Sequence, residues 1–165
     1  MIRMNNLMKE ELLKIRDIDN TFDFTGKLSV INPEIYKVKN AVFMKINDRA
    51  KVALETVELY EDVDLSEWEW DRSEFLIGSY FDGITYEQSL RLALDIVELW
   101  GYKLHALFPN DEFHISINVS NISDTDDKTI RLRYYKYREN GFHYDLDNLD
   151  NLLYNAILIN VVESD

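Results

Sequence analysis

Apolar residues recur at three- and four-residue spacing in some stretches of this chain and alternate with polar ones in others. Leu7, Met8, Leu12, Ile15 and Ile18 predict an amphipathic helix over residues 6–17. A second helix opens at Thr85-x-x-Gln88, a capping box in which hydroxyl and amide each satisfy a free backbone N–H. Leu90, Ala93, Leu94, Val97 and Trp100 form its apolar face, Leu92, Ile96 and Leu99 widen it, and Gly101 is the expected stop. Period two takes over downstream: Phe113, Ile115, Ile117 and Val119 share one face of a strand, and Ile130, Leu132 and Tyr134 one face of the next. The turn over 124–128 joins these two, and residues 102–108, bounded by Pro109-Asn110-Asp111, are expected to add a strand ahead of them. Connections this short exclude helical crossovers, so the three form an antiparallel meander. After Gly141, Leu146, Leu149, Leu152, Leu153, Ala156 and Ile157 predict a final helix ending near Val162.

Other segments are less regular. Residues 21–31 suggest an edge hairpin or irregular chain, broken by Asn32-Pro33, and residues 40–46 a short strand. Residues 48–60 fit both periods, and their alanines and glutamates favour helix. Residues 67–80 read as a short helix or an acidic loop before Gly83. The whole is a single α+β domain over residues 1–165, an antiparallel meander packed against helices.

Length agrees, since 165 residues suffice for one core without staples. Cysteine is absent, which removes disulfides, thiolate metal sites and a thiol nucleophile, and points with the lack of a leader-like or spanning apolar run to a reducing, cytoplasmic setting.

Charge changes the picture most. The net charge is −13, yet residues 1–54 carry ten basic and seven acidic side chains, while residues 55–127 carry three and eighteen. The acid concentrates in ETVELYEDVDLSEWEWDRSE, residues 55–74, where Tyr60, Trp68 and Trp70 stand among carboxylates. Such a field repels nucleic acid and anionic membrane and speeds encounter with a cationic partner. Aromatic anchors ringed by charge suit a protein interface. Glu67, Trp68, Glu69, Trp70 and Asp71 are therefore the expected centre of a partner contact, with Glu58, Glu61, Asp62 and Asp64 steering from its rim. The opposing reading folds both indoles into the core and neutralises the carboxylates internally.

Catalytic signatures are not found. GSYFDG, residues 78–83, lacks the Lys-Ser/Thr of a phosphate loop, and DTDD at 124–127 lacks the glycine and glutamate of a calcium loop. His105, His114 and His143 are the near-neutral acid–base groups; on the expected meander His105 and His114 would neighbour one another. Neither an enzyme activity, a cofactor nor a metal is expected. In RLRYYKYR, residues 131–138, alternation puts Arg131, Arg133, Tyr135 and Tyr137 on one face, either a platform for single-stranded RNA or a sheet face whose cations pair with the acidic segment.

With ITYEQSLRLALDIVELWGYKL leading into strands and the acidic EWEWDRSE segment, the chain resembles bacterial immunity proteins, the acidic antidotes of contact-dependent or polymorphic toxins. The resemblance implies a non-enzymatic inhibitor that covers a basic toxin domain, often a nuclease. A nucleic-acid mimic directed at a defence enzyme, an RNA-binding module and a carboxylate-based hydrolase are the alternatives.

Overall fold

A computed structural model describes residues 1–17, 27–46, 63–120 and 128–165. It is α+β: a five-stranded antiparallel sheet packed against helices, with a separate two-stranded ribbon. In chain order the elements are β1 (Ile2–Met4), α1 (Asn6–Lys14), α2 (Leu28–Ile31), β2 (Ile35–Val38), β3 (Ala41–Met44), α3 (Leu65–Arg72), β4 (Phe75–Leu76), α4 (Tyr86–Leu107), β5 (Phe113–Ser120), β6 (Thr129–Lys136) and β7 (Ala156–Val162). The large sheet runs β1-β7-β5-β6-β4, and β2 pairs with β3.

One face of the sheet carries the main core. Alternation sends Phe113, Ile115, Ile117 and Val119 of β5 and Ile130, Leu132 and Tyr134 of β6 to that face, where they meet Leu90, Ala93, Ile96, Trp100 and Leu104 of α4. Trp100 is fully buried, and its indole N–H donates to the Ile31 carbonyl at 2.8 Å. The Thr85–Gln88 capping box is formed as its spacing predicts. Among the described residues no helix is long and apolar enough to cross a membrane.

Two predicted elements change type. Residues 102–107 continue α4 instead of forming a strand, because Gly101 lies inside the helix and serves close packing. A Cβ there would stand 3.0 Å from Asn160 Nδ2 and 3.3 Å from Val162 Cγ2, so the missing side chain lets the helix settle onto β7. The final helix is replaced by a short 3-10 turn at Leu149–Asn151 and then β7, which takes the place beside β5 that the meander assigned to residues 102–108. AILINVV is apolar almost throughout because β7 is buried on both faces. Such a strand loses the period-two signal and mimics a buried helix.

The second sheet face is covered as well. Ile157, Ile159 and Val161 meet Leu149, with Tyr144, Leu146 and Leu152 packed around them. The segment after β6 thus acts as a lid over the face opposite α4. The expectations for residues 21–26, 48–60 and the 124–127 turn lie outside the described residues.

Candidate functional site

The acidic segment becomes helix α3, and its geometry divides the predicted contact residues into two groups. Asp64 caps it: the carboxylate accepts from Ser66 N at 2.9 Å and Glu67 N at 3.2 Å, while its other oxygen accepts from Phe142 N. Gly141 permits that approach, since a Cβ would stand 2.8 Å from Ser66 Oγ and 2.9 Å from Asp64 Oδ1. Asp64 therefore ties α3 to the lid.

Glu69 is fully buried, against the expectation that it faces a partner. Its Oε1 accepts from Val42 N at 2.8 Å and Arg138 Nη2 at 2.9 Å; its Oε2 accepts from Lys136 N at 2.7 Å and Arg138 Nη1 at 2.9 Å. Burial pushes the Glu69 carboxyl up from the usual range, opposed by the guanidinium and both backbone N–H groups. Every lone-pair direction meets a donor, leaving a carboxyl proton no acceptor, so the group is held as the carboxylate. The side chain is a rivet joining α3, β3 and β6. Beside it Tyr134 donates to the Val42 carbonyl at 2.9 Å and accepts from Met44 N at 2.7 Å, a second bridge from sheet to ribbon.

The indoles differ. Trp70 turns inward: its N–H donates to Tyr144 Oη at 3.1 Å, the Arg133 guanidinium lies 3.8 Å from the ring centroid, and Phe142 packs 5.0 Å away, centroid to centroid. Trp68 is half-buried against the Ala41–Phe43 pair, on which Val38 and Leu65 also pack, with the Arg72 guanidinium 5.4 Å from its ring. Glu67 and Asp71, four residues apart, are exposed, and Asp71 has Arg72 Nε at 3.5 Å. Glu67, Trp68, Trp70, Asp71 and Arg72 line a shallow depression of about 340 Å³. Glu58, Glu61 and Asp62 fall outside the described residues.

The RLRYYKYR face is occupied. Glu74 Oε2 takes Arg133 Nη2 at 2.5 Å and Arg131 Nε at 3.6 Å, Arg138 serves Glu69, and Tyr135 is fully buried against Phe142 and Tyr144. The arginines pair with the acidic segment and Lys136 with Asp111, and the aromatics of the strand do not form an open stacking platform. Sequence reasoning missed what lies between them: a cavity of about 290 Å³ walled by Trp70, Tyr144, Leu152 and Asn155 over Ser116, Asn118, Arg131 and Arg133. Among the described residues Arg133 Nε is the buried side-chain atom without a hydrogen-bond partner, at a cost of about 1–3 kcal/mol. The signal was present in the alternation of Arg131 and Arg133, but not in any motif.

His105 and His114 do not neighbour one another as the meander predicted. His105 sits on α4 with Asp165 Oδ1 at 3.4 Å, whereas His114 on β5 is buried between Glu112 and Tyr135. Glu112 Oε1, a carboxylate oxygen 2.7 Å from His114 Nε2, accepts from Nε2–H. Burial lowers the His114 pKa against the pull of Glu112, and in the neutral ring Nδ1 accepts from Tyr135 Oη at 2.8 Å, which itself accepts from Tyr144 N at 3.1 Å. Among the described residues no group of three or more His, Cys, Asp or Glu side chains could hold a metal ion.

Residues 3–165 match the uncharacterized protein PM0498 family, and the chain belongs to it. No curated protein and no solved structure matches it.

Proposed function

We propose that this member of the PM0498 family acts by binding and not by catalysis, as an inhibitor of the immunity-protein type that docks a basic toxin domain on the outer face of α3. The observation that supports this most is the division of α3 into a locked inner side and a charged outer side. Asp64 and Glu69 fasten the helix to lid and sheet, while Glu67 and Asp71 project beside Trp68. Like charges four apart weaken a helix by a few tenths of a kcal/mol, a cost that a cationic partner removes. A helix already held in place loses little further freedom on docking, which favours affinity. The net charge of −13 adds long-range attraction for such a partner. Within α3 the centre of the contact is narrower than the sequence suggested: Glu67, Trp68 and Asp71 with Arg72, while Glu69 and Trp70 support it from within. A reducing cytoplasm is the compartment proposed for it.

Coexpression with the product of the neighbouring reading frame tests this. The wild-type protein should relieve growth arrest by that product and bind it directly. A Glu67→Lys/Asp71→Lys variant, still folded, should associate roughly tenfold more slowly at low salt, and less so at high salt. Unchanged association rejects the α3 face; a neighbour that is harmless and unbound rejects the inhibitor reading.

A further inference from the structure

We infer that the cavity over β5 and β6, beneath Trp70 and Tyr144, is a binding site for a small oxyanion, a carboxylate or phosphate carried on a compact body. This goes beyond the α3 docking face and does not depend on it.

Register builds the floor. Ser116 pairs with Arg133 and Asn118 with Arg131, and alternation sends all four side chains to the sheet face opposite α4. They form a square of polar groups on two central strands. Next to it on the same face, Ile157 and Ile159, which pair with Asn118 and Ser116, are buried under Leu149 and the residues around it. The fold covers this face with apolar side chains where it can; at the square it places two guanidinium groups instead.

Charge selects the ligand. Arg131 and Arg133 both reach one oxygen of Glu74, so among the described residues two cations meet one anion there, in a chain whose net charge is −13. Among the described residues donors outnumber acceptors there. An oxyanion supplies the missing charge, in the planar geometry that guanidinium groups favour. Trp70, Tyr144 and Leu152 provide an apolar wall. At about 30 Å³ per water-sized group, the cavity of about 290 Å³ holds a body of roughly ten non-hydrogen atoms.

Titration of the full-length protein with inorganic phosphate and, separately, with benzoate tests the site, with chloride of equal ionic strength as the reference. The readouts are the NMR signals of Arg133 Nε–H and the Trp70 indole N–H. Saturable shifts below about 10 mM are expected. Arg131→Gln, at a half-exposed position, should weaken binding roughly tenfold. Asn118→Leu, which fills the floor, should abolish it. Saturation by phosphate alone identifies a phosphate-bearing ligand, and tighter binding of benzoate a carboxylate on an apolar body. Shifts that stay linear, that chloride reproduces, or that Arg131→Gln leaves unchanged overturn the proposal. Should Asn118→Leu disturb the core amide signals, Arg131→Gln decides alone.

Discussion

Arg138 grips Glu69 with both terminal nitrogens, Nη1 on Oε2 and Nη2 on Oε1 at 2.9 Å each, around a carboxylate that has no exposure to solvent. The same guanidinium also donates to Ser66 Oγ, the Lys136 carbonyl and the Asn40 carbonyl. Three elements close on this pair.

Glu69→Ala should therefore be among the most destabilising substitutions in the chain. It leaves the N–H groups of Val42 and Lys136 and a part-buried guanidinium without acceptors. Removing one partner of a buried ion pair costs about 3–5 kcal/mol. Denaturant unfolding measures it. A loss below about 1 kcal/mol would show that water replaces the carboxylate and that the rivet is dispensable.

Glu69 also shows where the sequence stops being legible. Its neighbours Glu67 and Asp71 have the same charge and the same local composition, and only the partners brought by β3 and residue 138 send one inward and two outward. Those partners lie 27 and 69 positions away, beyond any local pattern. Patterns held where one face is apolar and the other polar. The core faces of β5 and β6 and the cap of α4 fall where spacing puts them. They failed at Gly101 and at residues 156–162, where burial on both sides erased the contrast that periodicity depends on. The cavity over β5 and β6 was half legible: alternation aligned Arg131 with Arg133, and nothing local announced Trp70 and Tyr144 above them.

His114 should make stability pH-dependent just below neutrality. Burial, opposed by Glu112, holds its native pKa below the usual 6.5, so the unfolded chain takes up a proton that the native one refuses. Unfolded chains then bind more protons, and stability must fall as pH drops from about 6.5 towards the native value. Below that value the contribution is lost and constant. The slope approaches about 1.4 kcal/mol per pH unit at most. His114→Gln keeps His105 and His143 in place, so subtracting its unfolding profile from the wild-type profile isolates the group. Parallel profiles between pH 5 and 7 would contradict the neutral network through Tyr135.

Glu11 works at lower pH. Its carboxylate is buried on α1 and accepts from Lys14 Nζ at 2.6 Å, Tyr86 Oη at 2.6 Å and Lys128 Nζ at 2.9 Å. Burial alone would raise its pKa, but these donors bring it below the usual 4.5. A depressed pKa contributes stability in full above the unfolded value and loses it as pH falls through the native one. Glu11→Gln should cost about 1–3 kcal/mol at pH 7, because Lys128 is left buried beside a neutral amide. At pH values below the native pKa, wild type and variant should converge. A cost that persists there would mean that packing, and not charge, sets the effect.

Gly101→Ala tests the close contact between α4 and β7. In an open helix this exchange stabilises by about 1 kcal/mol through propensity alone. Here the new methyl would sit 3.0 Å from Asn160 Nδ2 and 3.3 Å from Val162 Cγ2, tighter than ordinary contact on two sides. Asn160 is the end of a side chain and can yield; Val162 is fixed in a strand paired with β5. The propensity gain should be cancelled, leaving a net change near zero or a loss of about 1 kcal/mol, since overpacking typically costs 1–3 kcal/mol. Asn160→Ala relieves the tighter contact, so Gly101→Ala in that background should recover part of the gain. A full gain of about 1 kcal/mol in the otherwise wild-type chain would show that β7 gives way, and that the glycine is not what seats the helix.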